Sequence, residues 1–341
     1  NEEALSFLAT YFGAASKGGA LRQLRQLDMD RCMHYPPSFM TIALSTLLGD
    51  FLTHLDVGSV KLSYAGELRS LVTHFPAALT DLSLHLRGKP ELPELQSHAP
   101  VLQLLSRFRL TNLWLDVQPD GKGAALWTDE DFGALAAALG GTLDRLAVRG
   151  MGITSRVSGG MEKLRVISSS DVSGEVSMDI IEALMSCCPH LYQFGVHALP
   201  FLFDYSALLE ETRDHGAPPP LQRLAAVAQR FEFGHFDAVL GPSFHAFEGQ
   251  AMPEVRTDSF TLTLTFDQHG KGPSLDAVTS FAAAACSSQL YRFSLCFITP
   301  AGSQPRPRYV SMAAIGLFEV LLHARPQLFI RRFIGHRVTL H

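Results

Sequence analysis

Asparagine is almost missing from this chain: Asn1 and Asn112 are the only two in 341 residues. Neither opens an Asn-x-Ser/Thr acceptor, which excludes N-glycosylation. Cysteine is scarce too, and Cys32, Cys187, Cys188, Cys286 and Cys296 form an odd set without a CxxC pair. That pattern argues against a disulfide scaffold and for reduced, buried thiols. Both observations point to an intracellular protein, cytoplasmic or mitochondrial. The chain opens at Asn1 rather than at a methionine, so a leader was either removed or left out, and the sequence gives no reading of a targeting peptide. Charge is thin, at 18% of residues, against about 25% in ordinary globular chains. Long apolar runs are also lacking: the best, Met312 to Leu322, carries Glu319 and falls short of the roughly 18–20 residues that a membrane-spanning helix needs. No membrane span is expected.

Sequence signatures of catalysis are missing as well. There is no phosphate loop G-x-x-x-x-G-K-[ST], no G-x-G-x-x-G after a strand, no H-E-x-x-H and no G-x-S-x-G elbow. Gly241 to His245 resembles an elbow superficially, but Pro242 and the lack of a closing glycine break it. Cys187, Cys188 and His190 read as a helix end followed by a turn at Pro189, since structural zinc generally takes four ligands. An enzyme needs a nucleophile, a base and an orienting group in one cleft, and no such set stands out. The chain reads as a non-enzyme with no metal or cofactor.

Apolar residues make up 47% of the chain, and the net charge is −5. The length allows one large domain or two ordinary ones, with ample core. A slightly positive mean hydropathy means either that the fold hides much of its surface or that a partner covers part of it.

One phrase recurs: a leucine, two variable residues, a second apolar residue, one variable residue and a third apolar one. It reads LRQLDM from Leu24, LTHLDV from Leu52, LTDLSL from Leu79, LTNLWL from Leu110 and LDRLAV from Leu143. It continues as MEKLRV from Met161, LYQFGV from Leu191, LQRLAA from Leu221 and LYRFSL from Leu290, with FTLTLTF (260–266) alternating in the same way. The first eight phrases start 28, 27, 31, 33, 18, 30 and 30 residues apart. Alternating apolar side chains put one strand face inward, and a lone strand of this kind needs stacked neighbours to bury it.

Between the phrases lie helical patterns: SFMTIALSTLL, YAGELRSLVTHF, PVLQLLSRF, DEDFGALAAAL, MDIIEALMSCC, SLDAVTSFAAAAC and VSMAAIGLFEVLLHA. Their apolar residues recur at three-and-four spacing, and several open on an Asp or Ser that suits an N-cap. The short step at Met161 replaces a helix with the loop GMGITSRVSGG, and residues 232–258 read as an insertion or a distorted unit.

Strand, loop and helix in about 28–31 residues resembles the leucine-rich repeat superfamily, of the long-repeat kind seen in ribonuclease inhibitors and F-box-associated receptors. LRQLDMDRC, ending at Cys32, is similar to its cysteine-containing variant, and CPHLYQFGV to its helix-to-strand junction. The resemblance implies an α/β solenoid, a horseshoe with parallel strands on the concave face and helices on the convex one. It assigns a helical cap to residues 1–20, about ten degenerate repeats to 21–298 and a basic cap to 299–341. It also implies protein binding. The ninth position holds Val60, Arg87, Gln118, Met151, Ser169 and Leu199 where the family carries Asn or Cys, so an asparagine ladder is excluded.

If positions one, four and six point inward, three, five and seven face the concave side. These are Gln26, Asp28 and Asp30; His54, Asp56 and Gly58; Asp81, Ser83 and His85; Asn112, Trp114 and Asp116. The next two phrases give Arg145, Ala147 and Arg149, then Lys163, Arg165 and Ile167. The face is expected to pass from acidic to basic, a pattern that selects a partner of matching charge, with Trp114 as an aromatic anchor.

From Thr299 to His341 the chain carries Arg306, Arg308, Arg325, Arg331, Arg332 and Arg337 against Glu319 alone. The segment SQPRPRY reads as an extended linker before a helix and a final strand. Arginine suits carboxylate and phosphate contacts, so Arg306, Arg308, Arg331, Arg332 and Arg337 are candidates for an anionic partner, a protein or RNA. The expected function is a non-catalytic scaffold, a structural subunit of a stable multiprotein complex. The alternatives are a substrate receptor of the F-box leucine-rich repeat kind and an RNA-contacting subunit of a ribonucleoprotein.

Overall fold

A computed structural model describes residues 25–28, 51–121, 125–169, 176–194, 200–245, 253–285, 290, 292–300 and 307–324. It is an α/β structure, and every strand pairing given below is parallel. It divides into two compact units, 1–173 with 183–191 and 174–182 with 192–341. Among the described residues no helix is long and apolar enough to cross a membrane.

The first unit lays its strands side by side in chain order: β1 (Gln26–Asp28), β2 (His54–Leu62), β3 (Asp81–Gly88), β4 (Asn112–Pro119), β5 (Arg145–Val148) and β6 (Val166–Ser169). The phrases place them. Positions one, four and six of four successive phrases (Leu52, Leu55 and Val57; Leu79, Leu82 and Leu84; Leu110, Leu113 and Leu115; Leu143, Leu146 and Val148) are all buried. Helices α1 (Glu67–Val72), α2 (Ala99–Leu105) and α3 (Asp129–Leu139) add Leu68, Leu71, Val101, Leu102, Leu105, Phe132, Leu135 and Leu139 to that core. Each such side chain contributes about 1.5–3 kcal/mol. α1 packs on α2 and α2 on α3, the order of the strands. The stretch 150–165 carries no helix, as the loop GMGITSRVSGG implies.

A second ladder runs through the residue after each leading leucine. Thr53 Oγ1 donates to the carbonyl of Arg25, Thr80 Oγ1 to that of Thr53 and Thr111 Oγ1 to that of Thr80, each at 3.2 Å. Backbone N–H groups repeat the pattern, from Asp144 and Arg145 to Thr111 and from Arg165 and Val166 to Asp144.

That ladder corrects the sixth phrase. β6 pairs Val166 with Arg145 and Ile167 with Leu146, so the phrase is LRVISS from Leu164, not MEKLRV from Met161. Both readings put apolar residues at positions one and four, but the corrected phrase ends on Ser169, so the sequence favours the wrong one and the backbone register decides. Ile167 is therefore in the core, fully buried, and not on the open face.

The second unit pairs β9 (Glu232–Leu240) with β10 (Arg256–Thr265) and β10 with β11 (Arg292–Ile298). Two short strands, β7 (Gln193–Phe194) and β8 (Pro200–Asp204), follow each other along β9. Their core is phenylalanine: Phe201 lies 4.6 Å from Phe233 and 5.2 Å from Phe236, and Phe236 lies 5.3 Å from Phe260, ring centre to ring centre. Here the phrase LQRLAA is overturned, because it lies in a helix, α6 (Pro220–Arg230). Leu224, Val227 and Ala228 are its buried side, and Pro220 opens its first turn. Residues 232–258 are likewise no mere insertion, since they hold β9 and the start of β10.

Helix α4 (Met178–Cys187) spans the division between the units. α5 (Tyr205–His215) starts where Asp204 accepts the N–H groups of Ser206 and Ala207, at 3.0 and 3.1 Å. α7 (Leu275–Ala285) packs on α8 (Pro307–Ala324). The linker reading of SQPRPRY is corrected in part, because Pro307, Arg308 and Tyr309 already belong to α8, whose first position suits a proline. The helix expected at 38–48 and the cap at 1–20 lie outside the described residues.

Candidate interaction surface

In the first unit, alternation turns the other half of each strand away from the core, and register lines these residues up across the sheet. One row runs Gln26, His54, Asp81, Asn112, Arg145 and Val166, and the next Asp28, Asp56, Ser83, Trp114, Ala147 and Ser168. Past a bulge in β2 between Asp56 and Ser59 a third row joins Ser59, His85 and Asp116, and a fourth joins Lys61, Arg87 and Gln118. Gly58 allows that bulge, with φ 64°, and its N–H donates to Asp56 Oδ1 at 2.8 Å.

The acidic residues are not alike. Asp28 is exposed at the start of the sheet. Asp81 accepts from Thr80 Oγ1 at 2.6 Å and from Asn112 Nδ2, with His54 at 4.0 Å. Asp116 is 2% exposed. Its Oδ2 accepts from Arg149 at 3.2 Å and faces His85 Nδ1 at 3.4 Å, and Arg149 also donates to Gln118 at 3.4 Å. Burial pushes the Asp116 carboxyl up, but the hydrogen bonds from His85 and Arg149, with their charges, outweigh it and hold it below its ordinary value. Trp114, 38% exposed, meets the His85 ring edge-on at 4.9 Å. Arg145 is exposed, 3.7 Å from Asp144.

Five side-chain atoms on these rows are out of solvent and without a hydrogen-bond partner: Ser59 Oγ, Ser83 Oγ, His85 Nε2, Arg87 Nε and Asp116 Oδ1.

The expected passage from acid to base needs correction in three places. Arg149 sits on Asp116 rather than in a separate basic zone. The strands outrun the six-residue phrase and bring Lys61 and Arg87 onto the face, Lys61 lying 3.7 Å from Asp120. Lys163 and Arg165 leave the face altogether, because the shifted register puts Arg165 beside Asp144 at the strand entrances. There Arg165 binds both carboxylate oxygens of Asp144, and those hydrogen bonds hold the carboxyl below its ordinary value. With Thr111, Thr142, Asp144, Glu162 and His190 these two line an open depression of about 620 Å³. Asp30, Arg306, Arg331, Arg332 and Arg337 lie outside the described residues, and Arg308 is placed only by its backbone in α8.

Sequence reasoning missed three carboxylates that accept backbone N–H groups distant in sequence. Glu94 Oε1 accepts the N–H of Gly66, which caps α1, at 2.7 Å. Asp131 Oδ1 accepts those of His98 and Ala99, which open α2, at 2.9 and 3.1 Å. Asp129 accepts that of Thr154 at 2.7 Å. The partners are 28, 33 and 25 residues apart, the first two at steps that also separate the leucine phrases, and that shared spacing is the signal that could have found them.

In the second unit His235 Nε2 lies 2.7 Å from Asp237 and 3.2 Å from Thr261 Oγ1. One nitrogen serves both, so this is not the relay in which a base is oriented through its far nitrogen. Cys188 is buried, and Cys187 is half-buried, its thiol pushed up by burial and directed at the Val157 carbonyl at 3.4 Å. Among the described residues no three metal-ligating side chains converge. Compared with protein-family models and with curated proteins, the chain matches none.

Proposed function

We propose that this chain is a non-catalytic protein-interaction scaffold built on leucine-rich repeats, acting as a structural subunit of a larger multiprotein complex. The observation that carries the reading is the two-sidedness of the first unit's sheet. One face is closed by the leucine core, and the other presents aligned polar rows with Trp114 exposed among them. Strands stacked in chain order at a spacing near 30 residues, tied by a repeated threonine ladder, suit a solenoid that offers its strands as a binding face. A half-exposed tryptophan ringed by polar side chains has the composition of an interface anchor.

A photo-crosslinking amino acid placed at Ala147, beside Trp114 in register, tests the reading when compared with one at Gln103, exposed on α2. Adducts of one defined protein from position 147, and none from 103, support it. Adducts from 103 alone, or none from either in cells that express the chain, contradict it.

A further inference from the structure

We infer that Trp114, His85 and Asp116 form a seat for an arginine side chain of the protein partner. The inference rests on the interaction-face reading and names the chemistry that lands there.

Asp116 carries it. The residue is almost wholly buried, its Oδ2 is used by Arg149 and His85, and its Oδ1 has no donor. An ionised carboxylate only accepts, with about four lone-pair sites, so Oδ1 calls for an N–H or O–H. His85 turns its Nδ1 to the carboxylate, and its Nε2, also buried, has no partner either. Ser83 Oγ, in register with Trp114, and Ser59 Oγ, in register with His85, lack partners as well. The seat therefore asks for a group rich in donors.

Charge narrows the class. Asp81 on β3 and Asp56 on β2 stand on the same face, but Lys61, Arg87 and Arg149 stand on it too, so the unmatched Oδ1 and not the overall sign of the face selects a cation. An anion would face the unmatched Oδ1. The half-exposed indole of Trp114 then decides between the two cationic side chains. A guanidinium is flat, stacks on an aromatic face, presents five donors in a fixed fork and is weakly hydrated, whereas an ammonium is compact and strongly hydrated. Arg149 stays on Oδ2, and the incoming group takes Oδ1.

The test uses the full chain and capped heptapeptides of sequence Ser-Gly-Ser-Xaa-Ser-Gly-Ser, with Xaa as Arg, Lys or Glu. Trp114 and Trp127 are the only tryptophans, so the difference between the wild type and Trp114→Phe isolates the emission of Trp114. The arginine peptide is expected to change that emission saturably, at least fivefold more tightly than the lysine peptide, and the glutamate peptide not at all. Asp116→Asn should weaken the arginine response at least tenfold. His85→Gln, at a side chain the core does not need, should weaken it about threefold and serves if Asp116→Asn unfolds. Equal binding of the glutamate peptide, no saturable arginine response, or a response unmoved by both variants overturns the seat. If the Ala147 crosslinks form while the arginine peptide does nothing, the seat falls and the interaction face stands. If the peptide binds and no crosslinks form, the scaffold reading falls instead.

Discussion

Asp131 reaches back across one repeat to His98: its Oδ1 takes the His98 N–H at 2.9 Å while its Oδ2 lies 3.3 Å from His98 Nδ1. Both side chains are about 1% exposed, and the imidazole stacks on Trp127 at 4.4 Å. The same carboxylate closes a capping box with Thr128 at the head of α3. One side chain thus joins the starts of two successive helices.

Asp131→Ala strands several buried donors, each at about 1–3 kcal/mol. The first unit should lose about 3 kcal/mol or more, and Asp131→Asn less, in denaturant unfolding followed by tryptophan emission. A pH dependence goes with it. Burial pushes Asp131 up, but the hydrogen bonds from His98 and Thr128 prevail and hold it below 3.8. A depressed folded value means stabilisation that is complete above the unfolded value and lost as pH falls through the folded one. The wild type should therefore lose more stability than Asp131→Asn as the solution is acidified below about pH 4.

Arg223 makes the corresponding join in the second unit. Its guanidinium, 5% exposed, binds Glu182 at 2.9 Å, Asp179 at 2.5 Å and Glu211 at 2.6 Å, tying α4, α5 and α6. Those carboxylates are 36–49% exposed and can be rehydrated, so Arg223→Met should cost less than a fully buried pair would. We expect about 2–3 kcal/mol, read as roughly 30- to 150-fold faster hydrogen exchange across residues 205–230. Unchanged exchange would show that the cluster holds nothing.

The parts of this fold legible in sequence were those with one dominant period. Leucines at two-residue alternation set β2, β3 and β4, and DEDFGALAAAL marks α3 to the residue. Ambiguous spacing accounts for the failures. Leu221 and Leu224 fit a helix, with Val227, as well as the phrase, with Ala226, and Pro218, Pro219 and Pro220 before them were the overlooked helix-start signal. In β9 the buried residues shift from Phe233 to Phe236, which breaks strict alternation and hides a strand. Of the candidate face, Trp114 and Asp116 could be found from position alone. The Arg149–Asp116 contact could not, because it joins residues 33 apart across two strands.

The register of β6 sets up the most direct test, since it removes Lys163 and Arg165 from the face on which β4 holds Trp114. The measurement is the affinity of the crosslinked partner, once purified, for three variants of the full chain. Trp114→Ala should weaken binding at least tenfold, about 1.4 kcal/mol, with the fold intact by circular dichroism. Lys163→Ala and Arg165→Ala should bind within twofold of wild type. Loss of affinity in the last two with none in Trp114→Ala would contradict the account and move the interface to the strand entrances.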